Sequence, residues 1–446
     1  MDDSVGASGP GERRWLPWLI LVLGLGVALR LWVVLTTATH VYPDSPAYVA
    51  LAHWLARLDL SADNGARTPF YPLFLLALRY DPDRARLAQM LLGLAITAAL
   101  FWILWTLTHR RLAAVLGSAL YGLSLTQIKY ESGLLTETPT TFLLVMLAAT
   151  LTWLWVDRTR HLATKITVAG LCAGLVPLAR PVYAFIPVFV LAAALLWVPR
   201  SPRRWALLAV LVVIAFAPML AWSSFNYARF GAFELTTMAG FDLTNKTGTY
   251  IQDAPSEYAA IRDIYVTALK ANGGNHKDLI WHVVEPMTAA TGQSYPELSR
   301  TMLRMNTGLI LSHQKEYWAN VAVVFAQFWK VDSYEEILPP LAGVTRASWF
   351  AYKWFGRLLN LVFLILAAFW VFRAIARRRW PRITPIVWMA AVALVAGMLC
   401  ALVIDGSNSR FGMPTQPYVV CAVLVAVFSH ARARGRSPSS LPESHK

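Results

Sequence analysis

RRWLPWLILVLGLGVALRLWVVLTTATHVYPDSP, residues 13–46, carries the pattern from which the fold follows. A basic pair precedes an apolar run at about 15–37, and a polar turn with one carboxylate, Asp44, follows it. A run of about 20 apolar residues is long enough to cross a bilayer as a helix. The basic pair marks its cytoplasmic end, since loops on that side are enriched in Lys and Arg. Asp44 is therefore expected at the outer membrane boundary.

The pattern repeats along the chain. Further apolar runs lie at about 87–108, 112–128, 139–156, 166–179, 182–198, 206–225, 357–372, 384–404 and 417–429, which predicts an all-α polytopic membrane protein of ten spans. Composition agrees: 57% hydrophobic residues and only 15% charged ones exclude a soluble domain. Basic residues cluster in alternate loops: Arg13 and Arg14; Arg110 and Arg111; Arg158, Arg160 and Lys165; Arg200, Arg203 and Arg204; Arg373, Arg377, Arg378, Arg379 and Arg382; and four in the C-terminal tail. These segments hold 19 of the 40 Lys and Arg residues but five acids, so +14 of the formal +15 lies on one side. Both termini are expected in the cytoplasm, with the protein in the plasma or inner membrane. Charge divided among loops forms no stripe that could track a nucleic acid, so none is expected as a partner.

Cys172, Cys400 and Cys421 fall inside predicted spans at no ligand spacing, which implies neither disulfides nor a metal site. The first apolar run reads as a retained span, lacking the small-residue cleavage pattern of a signal peptide. The expected organisation is an N-terminal transmembrane module over 1–226, an extracytoplasmic or interfacial segment over 227–350, C-terminal helices over 351–430 and a disordered cytoplasmic tail over 431–446. In the first outer loop, 38–86, Tyr48, Leu51, Ala52, Leu55 and Leu58 recur at helical spacing, as on an interfacial helix. A second stretch, ARTPFYPLFLLALRYDP, is too short to span. If it crossed alone, every later basic loop would change sides. The run 317–329, YWANVAVVFAQFW, is expected to be interfacial or re-entrant.

Charged residues at the outer side are candidates for chemistry. Asp44 either faces a lipid-borne substrate or caps the helix beginning near Pro46. Lys129, Glu131 and Glu137 crowd IKYESGLLTETPTTF, where Glu137 also suits a helix N-terminus and Lys129 can snorkel to the interface. Arg180 ends an apolar stretch from Ile166 that is only about 21 Å long as a helix, which sets its guanidinium near headgroup depth. Arg410 and Arg67 are further outer cations, and Arg67 equally suits lipid headgroups. Together these residues describe a site for a lipid-linked phosphate beside a general base: guanidinium and ammonium groups hold phosphate oxygens, and a carboxylate takes a proton from a hydroxyl. No nucleotide fingerprint, Ser/His/Asp order or HExxH motif competes.

The succession PDSPAYVALA, RTPFYPLFLL, LLTETP, ARP and SRFGMPTQP after a first span resembles the polyprenyl-phosphate-sugar-dependent membrane glycosyltransferases of the GT-C fold, which include protein O-mannosyltransferases and lipid A aminoarabinose transferases. The similarity covers about 15–230 and 400–420. It implies a GT-C-like bundle of ten to twelve transmembrane helices with interfacial helices in the first outer loop and a small extracytoplasmic domain. It also implies transfer of a sugar from a polyprenyl-phosphate donor to a lipid, glycan or protein acceptor on the extracytoplasmic face, with inversion at the anomeric carbon. Asp44 matches the family's first-loop catalytic acid. Arg180 and Arg410 fall where the fold presents cations to the donor phosphate, Lys129 is similar to a basic residue near that group, and Arg67 joins them. Glu131, Glu137 and Tyr48 are candidates for holding the acceptor or sugar.

There are departures from the pattern. Many protein O-mannosyltransferases carry adjacent acids in the first loop, whereas Ser45 follows Asp44 here, and 227–350 matches no motif. Without a paired-acid motif no metal or other cofactor is expected. The rival expectation is a secondary transporter or lipid flippase, which would place ionisable residues at the midplane of repeated halves. Arg30 alone occupies such a depth, and no repeat is visible. A noncatalytic scaffold would have no use for Arg180 at headgroup depth.

Overall fold

The computed structural model describes residues 15–331, 342–378, 382–404 and 409–434; Arg13, Arg14, Arg379 and the tail from 435 onward lie outside the described residues. Among the described residues the fold is all-α, with an isolated bridge between His40 and Gly133 and no sheet. Helix α1 (Leu16–Thr36) leads into the short helices α2 (Ser45–Arg57) and α3 (Phe70–Ala77). Then follow α4 (Pro82–Thr108), α5 (Arg111–Gly122), α6 (Leu125–Glu131), α7 (Glu137–Val156), α8 (Leu162–Ala179), α9 (Ile186–Trp197) and α10 (Arg204–Phe230). A second group comprises α11 (Ala239–Thr247), α12 (Ala259–Ala271), α13 (Ile280–Thr291), α14 (Tyr295–Ser312) and α15 (Gln314–Phe328). The chain ends with α16 (Ala342–Ala376), α17 (Pro385–Val403) and α18 (Gln416–Arg434), so helix already occupies the first residues of the stretch expected to be a tail.

Among the described residues eight helical segments are long and apolar enough to cross a membrane: α1, α4, α7, α8, α10, the part of α16 from Phe350, α17, and Arg410–Ser429, which includes most of α18. Two of the ten expected spans depart from a single long helix. The run 112–128 is broken between α5 and α6, where the Gly122 carbonyl accepts from Arg30 Nη1 at 2.9 Å instead of continuing the helical ladder. Ser124 then starts α6 afresh, accepting from the Gln127 amide. The run 182–198 holds a 3₁₀ turn at Pro181–Tyr183 and the short α9. At the α-helical rise even 181–197 covers roughly 25 Å, less than a typical hydrocarbon core.

Large apolar side chains such as Ile20, Val213 and Phe372 are exposed on α1, α10 and α16, as lipid-facing helices require. Met389, Ala393, Ala396 and Cys400 of α17 and Tyr418 and Cys421 of α18 are buried in the main core. Helices α8 and α10 cross closely at Gly170 and Gly174; a β-carbon at Gly174 would stand 2.7 Å from the Ile214 carbonyl oxygen. Small residues one turn apart permit such approach within a bilayer, where packing replaces the hydrophobic drive.

The bundle has two chemically distinct ends. Leu107, Trp155, Trp370, Arg373, Thr384 and Ser429 line one cavity, which gathers the ends of α4, α7, α16 and α18 and the start of α17, hence the basic loops between them. At the other end lie the start of α7, the end of α8, the approach to α18 and the first loop. Helices α11–α14 share an apolar core of their own, including Phe241, Tyr265, Ile280, Met287 and Met302. This unit joins the first loop: the Thr237 amide donates to the Gly65 carbonyl at 3.0 Å, and Thr236 Oγ1 to that of Ala66 at 3.0 Å. Helix α15, over the stretch expected to be interfacial or re-entrant, packs on α17, with Tyr317 Oη donating to the Leu402 carbonyl at 2.9 Å.

Candidate active site

Two loops meet to set the site. The His40 amide donates to the Ser132 carbonyl and the Leu134 amide to the His40 carbonyl, each at 3.0 Å, binding the first loop to the α6–α7 turn. Ser45 Oγ donates to the Leu134 carbonyl at 2.8 Å and accepts from the Tyr42 amide at 2.9 Å. Gln89 Nε2 holds the same turn by donating to the carbonyls of Glu131 and Gly133. The positions of Asp44 and Glu137 are thereby fixed relative to each other. Ser45, which stands where a second acid was missed, is consumed in this brace.

Asp44 sits at the N-terminus of α2, but its side chain makes no capping hydrogen bond. Its Oδ1 accepts from Arg67 Nη2 at 2.9 Å and its Oδ2 from Arg410 Nη2 at 2.6 Å. Arg410 Nε lies 2.9 Å from Glu137 Oε1, and Arg180 Nη1 lies 3.5 Å from the same oxygen. Residues 44, 67, 137, 180 and 410 thus form one chain of alternating charge. Three guanidinium groups face two carboxylates, which leaves the group one positive charge in excess. The Phe411 ring stands beside both inner arginines, with its centroid 4.9 Å from Arg180 Cζ and 5.7 Å from Arg410 Cζ, while Arg67 Cζ lies 5.0 Å over Tyr48.

Burial and charge act in opposition here. Burial alone would raise the Asp44 carboxyl, but Arg67 and Arg410 together outweigh it and hold it below the usual carboxylate range. Glu137 is only 2% exposed, and neither of its oxygens accepts a hydrogen bond among the described residues; its contacts with the arginines are ionic and off the hydrogen-bond line. A buried carboxylate in that state retains acceptor capacity for a hydroxyl.

Glu131 lies apart from this group, paired instead with Arg30. It is fully buried and forms a two-pronged pair with Arg30, Nε to Oε2 and Nη2 to Oε1, both 2.7 Å. A β-carbon on Gly93 would meet that carboxylate at 2.0 Å, so glycine is what admits it between α4 and α6. Lys129 is buried on α6, and burial of His40, aided by the Lys129 charge, holds that imidazole below the ordinary histidine range.

The sequence reading passed over several neighbours. Phe411 is one. Asp242 and Lys246 of α11 are others: with Arg180 they lie within electrostatic range of the Cys400 thiol, and Lys246 is almost wholly buried. Their i, i+4 spacing was the available signal. Tyr295, near Arg67 and Asp242, has its phenol pushed up to about 12 by burial. The segment beyond α10 therefore brings Tyr295 within electrostatic range of Arg67, a member of the charged group. Among the described residues no three His, Cys, Asp or Glu side chains group as metal ligands would.

No protein-family model matches the chain, and no curated protein matches it in sequence. Among solved structures, it is similar to the crystal structure of the Archaeoglobus fulgidus oligosaccharyltransferase in the apo form, with TM-score 0.49 and 14% identity over 95% of this chain and 52% of that one. It is similar to the oligosaccharyltransferase AglB of Archaeoglobus fulgidus in complex with an inhibitory peptide and a dolichol-phosphate, with TM-score 0.47 and 14% identity over 98% and 53% of the two chains. It is also similar to ArnT from Cupriavidus metallidurans bound to undecaprenyl phosphate, with TM-score 0.35 and 14% identity over 94% and 79%. The chain spans about half the length of the archaeal oligosaccharyltransferases it matches.

Proposed function

We propose that the chain is an inverting GT-C-type membrane glycosyltransferase that moves a sugar from a polyprenyl-phosphate donor to an acceptor hydroxyl of a lipid, glycan or protein. The observation that carries this reading is the gathering of Arg67, Arg180 and Arg410 around Asp44 and Glu137, at the end of the bundle away from the basic loops. By the charge asymmetry that end faces out of the cytoplasm, with both termini inside.

In this mechanism a donor phosphodiester, with one negative charge, matches the excess positive charge of the five-residue group. Arg410 and Arg180 turn from Glu137 and Asp44 to the phosphate oxygens, where guanidinium forks fit. Asp44 Oδ2 is then released while Arg67 keeps Oδ1 in place. The acceptor oxygen attacks the anomeric carbon from the face opposite the phosphate and hands its proton to Asp44, and the bond from that carbon to the phosphate oxygen breaks. The departing polyprenyl phosphate gains negative charge, which the arginines stabilise. Glu137 accepts hydroxyl hydrogens of the bound sugar, and Tyr48 walls the acceptor side.

Arg30, the charge a transporter or flippase would use at mid-depth, is held by Glu131 and two backbone carbonyls. Binding of undecaprenyl phosphate to the purified protein, measured against undecaprenol, tests the reading. Tight, phosphate-dependent binding that Arg410→Ala and Arg180→Ala weaken is expected; equal binding of the two lipids rejects it.

A further inference from the structure

The opposite end of the bundle contains a second feature that the transfer reaction does not use. A cavity of about 590 Å³ opens there, lined by Trp155, Trp370, Arg373, Arg377, Thr384 and Ser429 over otherwise apolar walls. That volume is ordinary for a ligand site. Arg373 stands in the last turn of α16 and Arg377 directly follows that helix, its amide donating to the Arg373 carbonyl at 3.0 Å, and both line the cavity. Among the described residues no acid lines the cavity. Arg158 Cζ lies 4.5 Å over the Trp155 ring, which adds a third guanidinium beside the wall. Its neighbour Asp157 is already engaged by Lys165 Nζ at 3.2 Å.

We propose that this cavity is a binding site for an anionic glycerophospholipid, separate from the site at Asp44. The charge selects the headgroup: two guanidinium groups unopposed by a carboxylate suit a phosphate. The walls select a lipid over a free ion, since Phe369, Ile386 and Val387 offer surface only to an acyl chain. Tryptophan at the rim fits the interfacial depth of a headgroup. Thr384 Oγ1 accepts from the Val387 amide at 3.3 Å, which leaves its hydroxyl hydrogen available to the phosphate. A zwitterionic lipid would bring its own cation against the arginines. The phosphate would tie the end of α16 and the start of α17 to the ends of α4, α7 and α18.

Native mass spectrometry of the purified full chain, titrated with phosphatidylglycerol or phosphatidylcholine, tests this. Phosphatidylglycerol should bind at least tenfold more tightly, and the Arg373→Ala/Arg377→Ala variant should lose roughly thirtyfold, the combined effect of two cations at a lipid surface. Ala374→Phe, which projects a ring into the cavity and keeps both arginines, should weaken binding of the same lipid. Undecaprenyl phosphate binding should be unchanged in both variants, as should the helical circular dichroism. Equal affinity for the two phospholipids, retention in both variants, or displacement by millimolar inorganic phosphate would overturn the proposal. So would undecaprenyl phosphate competing for the Arg373 site. Failure of the Asp44 site to bind undecaprenyl phosphate would leave these readouts intact, so the two readings fail separately.

Discussion

Arg410 bridges to Asp44 across 366 residues of sequence, with Nη2 2.6 Å from Oδ2, while its Nε stands 2.9 Å from Glu137. One side chain from the approach to the last helix thus joins carboxylates from the first outer loop and from α7. The proposed transfer requires it to let go of one and take up a phosphate.

Asp44→Asn keeps the size of the side chain and removes the base. Sugar transfer should fall by about 10²- to 10⁴-fold, the usual contribution of a positioned general base, while undecaprenyl phosphate still binds. Transfer within threefold of wild type in a radiolabelled-donor assay contradicts the base assignment.

The pH dependence has a definite sign. The folded-state value of Asp44 is depressed, so the carboxylate is ionised and the stability its pairs contribute is present above the unfolded value of about 3.9. That contribution is lost as pH falls through the depressed folded value. The acid limb of kcat/KM should therefore lie below the ordinary aspartate range, and Arg67→Ala should move it upward. A limb that stays in place in Arg67→Ala separates Arg67 from the base.

How much of this was legible beforehand differs by level. The membrane bundle was legible because lipid demands long apolar helices, and runs such as 15–37 and 384–404 state that demand directly. The break at Leu123 was not: hydropathy averages over 112–128 and cannot register that Arg30 takes the Gly122 carbonyl. At the site, Asp44, Arg67, Arg180 and Arg410 were selected by shared sidedness, which gives depth but no pairing. Glu131 and Glu137 illustrate the limit: they flank one turn, yet sit on different helices, and Gly93 opens the space that turns Glu131 toward Arg30. Asp242 and Lys246 lay in a stretch without motifs, where tertiary packing alone brings them within electrostatic range of Cys400.

Arg410→Ala should leave Glu137, which is almost wholly buried and accepts no hydrogen bond among the described residues, with only the longer 3.5 Å contact to Arg180. Removing one partner of such a pair costs about 3 to 5 kcal/mol. Arg410→Ala/Glu137→Gln should recover most of that in thermal unfolding but not recover transfer. An additive loss in the double variant contradicts the coupling.

Gly93→Ala forces a methyl group onto the Glu131 carboxylate and should break its pair with Arg30. A loss of about 3 kcal/mol or more in unfolding free energy is expected, similar to Arg30→Ala, and the two losses should not add. Independent effects would show that Glu131 does not depend on that gap.

The most direct measurement is a cryo-electron microscopy map of the protein with undecaprenyl phosphate. The account predicts the phosphate within about 3 Å of the Arg180 and Arg410 guanidinium groups, at hydrogen-bond distance, with Asp44 still held by Arg67 and its Oδ2 released. A phosphate bound elsewhere, with Arg410 still bridging Asp44 and Glu137, would contradict it.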